Sequence, residues 1–252
     1  MKNGRLITRR GLLTAGVASV GGLLFLTRSK QLPPTYGSLL RVGDNLTYAA
    51  QHALLSGQSL VREYQTKDIS SFPATGTVDP GDPKNPKANK DYRELQRGHF
   101  ADWRLSVEGV VAKPGSFSLA ELQAMPSRTQ ITRHCCEEGW TAIGQWTGVP
   151  LSRVLDSVGI LPAARFVSFY SYDDWQDSID LLDALHPQTI LAYGMNGRDL
   201  PLAHGAPVRL RVERQMGYKS MKYLRRLVVT DRFEDGGEKG NIQTGWAWYT
   251  GI

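Results

Sequence analysis

An α+β fold is predicted, on three observations. Segments with the two-residue alternation of strands are interspersed with short segments of helical spacing. The two types follow one another without a regular strand–helix–strand rhythm, which argues against a doubly wound parallel sheet. A composition of 41% hydrophobic and 21% charged residues over 252 residues describes a folded body with a sizeable core. That balance excludes a disordered chain, a collagen and a polytopic membrane protein. It leaves room for one large domain or two small ones.

The formal charge of +6 has a local origin. Residues 1–30 carry Lys2, Arg5, Arg9, Arg10, Arg28 and Lys30 and no acidic residue, so the rest holds 24 basic against 24 acidic side chains. A body with no net charge gives no bulk electrostatic case for nucleic acid. In the leader, Thr8-Arg9-Arg10-Gly11-Leu12-Leu13 sets a twin arginine before an apolar run from Leu12 to Leu26, which is short for a spanning helix and interrupted by glycines. The pattern is that of a twin-arginine export signal, with an uncleaved N-terminal membrane anchor as the alternative. Export of this kind implies a periplasmic location, and it carries proteins already folded, often with a cofactor inserted.

Residues 31–102 read as an N-terminal extension. Leu46, Ala49, Ala50, Ala53 and Leu54 have helical spacing within Asn45 to Tyr64. From Asp68 to Asn89 the chain holds Pro73, Pro80, Pro83 and Pro86 with Gly76 and Gly81, a loop long enough to cover a site or wrap the surface. Residues 103–252 are the main body. Trp103, Leu105 and Val107 alternate with Arg104, Ser106 and Glu108, which predicts a strand. Ser118 with Glu121 is a capping box opening a short helix that Pro126 stops, and Leu151 to Val158 is a second short helix closed by Gly159. Further strands are predicted at Thr129–His134, Phe166–Ser171, Ile190–Tyr193, Val208–Val212 and Leu224–Thr230, with Asn196-Gly197 as a turn.

Two cysteines cannot form a disulfide scaffold. Cys135 and Cys136 are adjacent, which suits neither two corners of a tetrahedral zinc nor an unstrained disulfide, and no covalent haem motif is present. One reading is a pair of buried structural thiols. The other starts from the setting Arg133-His134-Cys135-Cys136-Glu137-Glu138-Gly139-Trp140, where a basic flank at the end of a strand favours thiolate, the form that ligates metals. Arg133 and His134 are then candidates for anion contacts. In His204-Gly205-Ala206-Pro207-Val208-Arg209 the alternation turns Val208 and Leu210 to the core and Arg209 to the opposite side. In Gly217-Tyr218-Lys219-Ser220-Met221-Lys222 two lysines flank a hydroxyl and backbone amides. Each patch alone reads more readily as a solvated charged face than as donors for an anion. Taken with a thiolate, they suggest one anionic cofactor.

The runs Cys136-Glu137-Glu138-Gly139-Trp140, Trp146-Thr147-Gly148-Val149-Pro150-Leu151, His204 to Arg209 and Lys219-Ser220-Met221-Lys222 closely resemble the sulfite oxidase-like molybdopterin oxidoreductases. This family includes the periplasmic methionine sulfoxide reductase. The resemblance extends from about Trp103 to Thr230 and implies a sulfite oxidase-like α+β fold with mixed sheets and short helices. It implies one molybdenum held by the dithiolene of molybdopterin and by the thiolate of Cys136, while Cys135 has no family role. Ser171 falls where the reductase branch places a threonine at the cofactor. His204 falls on a position that is Asn in that branch and His in sulfite oxidase. Arg209 matches the arginine on the pterin's phosphate side, and Ser220, Met221 and Lys222 match the stretch that holds the pterin. Thr75-Gly76-Thr77 corresponds to an upstream cofactor loop, with Thr75 in place of Asn.

The activity implied is oxygen-atom transfer on a small sulfur or nitrogen compound, either sulfite oxidation or reduction of an S- or N-oxide. Without a haem or flavin motif, electrons would be exchanged with a separate haem partner, a membrane subunit or a soluble cytochrome. No segment follows Ile252 to match the dimerisation domain of sulfite oxidase, so a compact catalytic subunit is expected. A binding module on the same fold that has lost the metal is the alternative from another class.

Overall fold

In the computed structural model, which describes residues 39–55, 57, 59–234 and 245–252, the alternating segments pair into two five-stranded sheets. The twin-arginine leader lies outside the described residues, and no described helix is long and apolar enough to cross a membrane. In chain order the strands are β1 (Arg104–Gly109), β2 (Gly115–Ser118), β3 (Arg128–Cys135), β4 (Thr141–Pro150), β5 (Phe166–Ser171), β6 (Gln176–Asp180), β7 (Ile190–Met195), β8 (Arg198–Asp199), β9 (Arg209–Arg211) and β10 (Leu224–Thr230). The helices are α1 (Leu39–Leu54), α2 (Lys90–Arg97), α3 (Leu119–Ala124), α4 (Leu151–Val158) and α5 (Leu181–Ala184).

The first sheet has the order β2-β1-β10-β5-β6; β1 and β10 run parallel, and the other pairs are antiparallel. The second has the order β3-β4-β7-β8, with β9 also on β7, and is antiparallel throughout. Mixed sheets with a few short helices are an α+β architecture, as the alternation predicts.

The core forms where the apolar faces meet. Leu105 and Val107 of β1, Leu227 and Val229 of β10, Leu191 of β7 and Leu210 of β9 belong to one buried cluster. Helix α4 adds Leu151, Val154, Leu155 and Val158, one apolar stripe worth roughly 1.5–3 kcal/mol per side chain buried. Gly159 closes α4 in the left-handed conformation at φ +68°, its amide bonding Leu155 O and Asp156 O. At α3 the capping box forms: the Ser118 hydroxyl accepts from Glu121 N, and the Glu121 carboxylate accepts from Ser118 N at 2.7 Å. Asn196 and Gly197 both take positive φ, 52° and 75°, the two-residue turn that joins β7 to β8.

Several elements depart from expectation. Helical spacing suggests a helix running to Tyr64, yet α1 stops at Leu54. The chain beyond Gly57 is extended instead: Glu63 bridges Thr132 and Tyr64 N donates to Ile131 O, beside β3. Helix α2 escapes a hydrophobic search because, of its eight residues, only Tyr92 is buried; Asn89 caps it by accepting from Tyr92 N at 3.0 Å. Strand β4, ten residues long, was hidden by Gly144, Gly148 and Pro150. Gly148 is required by the approach of β7, since a Cβ there would stand 2.2 Å from Leu191 O. The short strands β2, β6 and β8 and helix α5 also carry no clear periodic pattern of their own.

Candidate functional site

The end of β3, the loop 72–77 and the segments 203–209 and 217–222 enclose a cavity of about 190 Å³. Seven residues singled out from the sequence line it: Thr75, Cys136, His204, Arg209, Ser220, Met221 and Lys222. In sequence they are spread from position 75 to position 222, and the turns after β3 and before β9 bring them together. Ser171 is different. It is fully buried behind the wall, where its hydroxyl donates to the Asp173 carboxylate and to Trp175 O at 3.0 Å. Asp173 and Trp175 line the cavity, and Ser171 stands behind them.

The basic flank of Cys136 does not act on its thiol as the sequence suggests. Burial pushes the thiol up to about 11, and the Glu137 and Glu138 carboxylates add to the shift. Its Sγ lies 3.6 Å from Glu137 Oε2. Arg133 points elsewhere, donating to the Tyr64 hydroxyl at 2.6 Å across the extended segment. His134 lines the cavity as a neutral ring, because burial, Arg211 and Arg209 hold it down at about 2. Its Nδ1 accepts from Arg211 Nη1 at 2.8 Å, which puts the ring proton on Nε2. Gly217 packs against that ring: a Cβ at 217 would stand 2.4 Å from His134 Nε2.

The cations sort by partner. Arg211 is fully buried and bonds the Glu213 carboxylate through two nitrogens, at 3.0 and 2.8 Å. Lys219 lies against Asp177 Oδ1 at 2.8 Å and Ser178 O at 2.9 Å, facing away from the cavity, so the expectation that both lysines serve an anion fails for it. Arg209 is 5% exposed, lines the cavity and bonds only carbonyls, His204 O at 3.0 Å and Ser220 O at 2.7 Å. Among the described residues no carboxylate lies within ion-pair distance of it. Burial and Arg211 push its guanidinium down to about 9, still protonated at neutral pH. Lys222 also reaches the cavity, but its ammonium binds Thr75 O at 2.8 Å, Ala203 O at 3.1 Å and Thr77 O. In this arrangement it clamps the loop 75–77. Burial and Arg209 bring it down to about 8, and together with Lys222 they hold His204 at about 4. The Ser220 amide, expected to serve a ligand, donates to Gly217 O at 2.9 Å.

Sequence reasoning did not assign the aromatic walls. Phe72 packs on His134, Trp140, Trp146 and His204 with ring centroids 5.1–5.6 Å apart. Arg209 and Arg211 stand over the Trp146 ring at 5.0 and 4.4 Å. Trp140 and Trp146 lie inside the recognised runs, so the signal was available; Phe72 sits in a loop with no periodicity to mark it. A buried sulfur, an uncompensated guanidinium and apolar walls together fit a soft metal with an anionic organic ligand.

A model of the oxidoreductase molybdopterin binding domain matches residues 93–237. A candidate protein-methionine-sulfoxide reductase subunit, YedZ1, of Azospira oryzae is 40% identical over 158 residues, covering 63% of this chain and 59% of that protein. The protein-methionine-sulfoxide reductase catalytic subunit MsrP of Xanthomonas axonopodis pv. citri is 33% identical over 189 residues, covering 69% and 56%. The chain thus spans less than two thirds of the length of these relatives. Among solved structures, the sulfane dehydrogenase SoxCD of Paracoccus pantotrophus matches with a TM-score of 0.52 and 26% identity, over 55% of this chain and 40% of that one. With a family model covering more than half of the sequence and a cavity whose donors fit the group, the chain belongs to the sulfite oxidase-like family of molybdopterin-binding oxidoreductases.

Proposed function

We propose that the protein is an exported, molybdenum-dependent reductase acting on S-oxides of the methionine sulfoxide class. The observation that carries this reading is the opening of a buried thiol, Cys136, and an uncompensated guanidinium, Arg209, onto one cavity. The names of the relatives support the S-oxide direction over sulfite oxidation. Export is supported by Arg9-Arg10 ahead of its apolar run, and a separate haem protein as electron donor by the lack of any haem or flavin motif in the sequence.

When bound, molybdenum with its pterin supplies two-electron oxygen-atom transfer, converting a sulfoxide, two electrons and two protons into a thioether and water. The chain's own residues do the rest. Cys136 would hold the metal through its sulfur, which requires the thiol to give up its proton. Arg209 supplies fixed charge for the anionic end of the pterin. Lys222 fastens the loop 75–77, and Phe72 packs on Trp140 at the cavity wall. His204, neutral, and Asp173, pushed up by burial, are titratable groups of the wall that can pass protons.

The test is metal and pterin analysis of full-length protein from molybdenum-replete cells, followed by turnover of methionine sulfoxide with a reduced dye and of sulfite with an oxidised one. Stoichiometric molybdenum and faster sulfoxide turnover are expected. Cys136→Ser should lose metal and activity with an unchanged circular dichroism spectrum, while Cys135→Ser retains both. The converse pattern would move the ligand to Cys135, and protein free of molybdenum would support the binding module instead.

A further inference from the structure

Away from the cavity, three buried polar atoms converge without hydrogen-bond partners. They are His52 Nε2 from α1, Asp180 Oδ2 at the end of β6 and Asp183 Oδ1 in α5. One ligand atom from each lies within 4.8 Å of the other two. Asp183 is fully buried and Asp180 is 3% exposed. Their remaining oxygens are occupied: Asp180 Oδ1 accepts from Asp183 N at 2.7 Å, and Asp183 Oδ2 accepts from Gln215 Nε2 at 2.6 Å. The unpaired lone pairs are therefore the ones that point at each other.

Two carboxylates and an imidazole so placed suit a bound cation, beyond the ion pairs that His52 and Arg214 can offer them. Burial and the neighbouring Asp180 push Asp183 upward, as expected when two buried anions face one another. Arg214 is the nearest fixed cation, yet its Nη1 is 3.9 Å from Asp183 Oδ1, beyond hydrogen-bond reach, and its Nη2 is itself unpartnered. Tyr48, whose hydroxyl lies within reach of Asp180, and Tyr249 flank the group and carry no charge.

We propose that His52, Asp180 and Asp183 form a binding site for a divalent transition-metal ion, with zinc as the best match. Ligands about 2.0–2.2 Å from a tetrahedral zinc stand roughly 3.3–3.6 Å apart, and His52 Nε2 and Asp180 Oδ2 are 3.4 Å apart. Imidazole nitrogen and carboxylate oxygen are both zinc ligands, a fourth position is left open, and the imidazole disfavours magnesium and calcium. The ion would join two parts of the chain, with a third packed beside it. His52 belongs to α1, Asp180 and Asp183 to the main body, and Tyr249 beside them to the C-terminal segment, whose Gly251 bridges Gln215 just before the cavity-lining stretch at Gly217. The site thus locks the N-terminal helix against the catalytic body and is independent of the molybdenum assignment.

The experiment is zinc titration of metal-depleted, full-length protein followed by thermal unfolding. The expected result is a rise in midpoint of roughly 5–10 °C at a hundredfold excess over Kd. Asp183→Asn and His52→Gln should each weaken the dissociation constant by more than about tenfold. His52→Gln, at a half-buried position on α1, carries the test if the other variant does not fold. Magnesium should leave the midpoint unchanged. No rise with zinc, a rise of equal size with magnesium, or an undiminished zinc effect in the folded variants would each overturn the site.

Discussion

Arg209 and Arg211 stand two residues apart on β9, both buried and both over the Trp146 ring, and the molecule uses them in opposite ways. On one side, Arg211 is closed off by Glu213 and His134, as Lys219 is by Asp177. On the other, Arg209 meets only neutral carbonyl oxygens and stays open to the cavity. A cation with a carboxylate partner holds the body together. One whose partners are dipoles retains most of its charge for an incoming anion, at some cost to the empty protein. The counter-ion, and neither residue type nor depth, separates frame from site.

Removing the counter-ion of the frame gives the largest expected loss of stability. Glu213→Gln leaves Arg211 buried without a carboxylate and should cost about 3–5 kcal/mol, read as a fall in the urea midpoint. A loss under about 1 kcal/mol would mean the two arginines are equivalent after all. Arg209→Ala should do the reverse: stability within about 1–2 kcal/mol of wild type, since lost carbonyl bonds are offset by relief of an unpaired charge, with purified protein mainly free of pterin. Wild-type pterin content would remove Arg209 from the site.

The smallest effect concerns His204, which senses the same open cations. Burial, Arg209 and Lys222 hold its folded value near 4, below an unfolded value of about 6.5. Between these values the unfolded chain binds the extra proton, so the stability from neutral His204 is complete above about pH 6.5 and is lost as pH falls towards 4. Solvent screening at this half-buried ring keeps the effect modest. The urea midpoint of wild type should therefore fall over this window more than that of His204→Gln, and parallel curves would show that the cations do not act on it.

Much of the fold was readable from local pattern. The alternation of β1, the capping box of α3 and the Gly159 stop of α4 are sequence-local, because each depends on neighbours within a few residues. Strand β4 was not readable: its Gly148 answers to β7, more than forty residues away, and only the pairing explains it. The extended course of the chain at Glu63, past the end of α1, likewise goes with a distant partner, Thr132. At the site, short motifs located the right positions but not their states. Lys219 and Lys222 look alike in sequence; Asp177 and the loop carbonyls make one a strut and the other a clamp.

By itself the sequence determined the class of the fold, the family motifs and the stretches that build the cavity, since these reside in periodicity and in residue types at short spacing. Only the tertiary structure decided which charges are compensated. It withdrew Arg133 from Cys136, set Ser171 behind the wall, neutralised His134 and left Arg209 open. It also brought His52, Asp180 and Asp183 together from positions that no motif connects. The physical reason is the same throughout: the energy of a charge depends on burial and on the group within a few ångströms, and that group arrives from elsewhere in the chain.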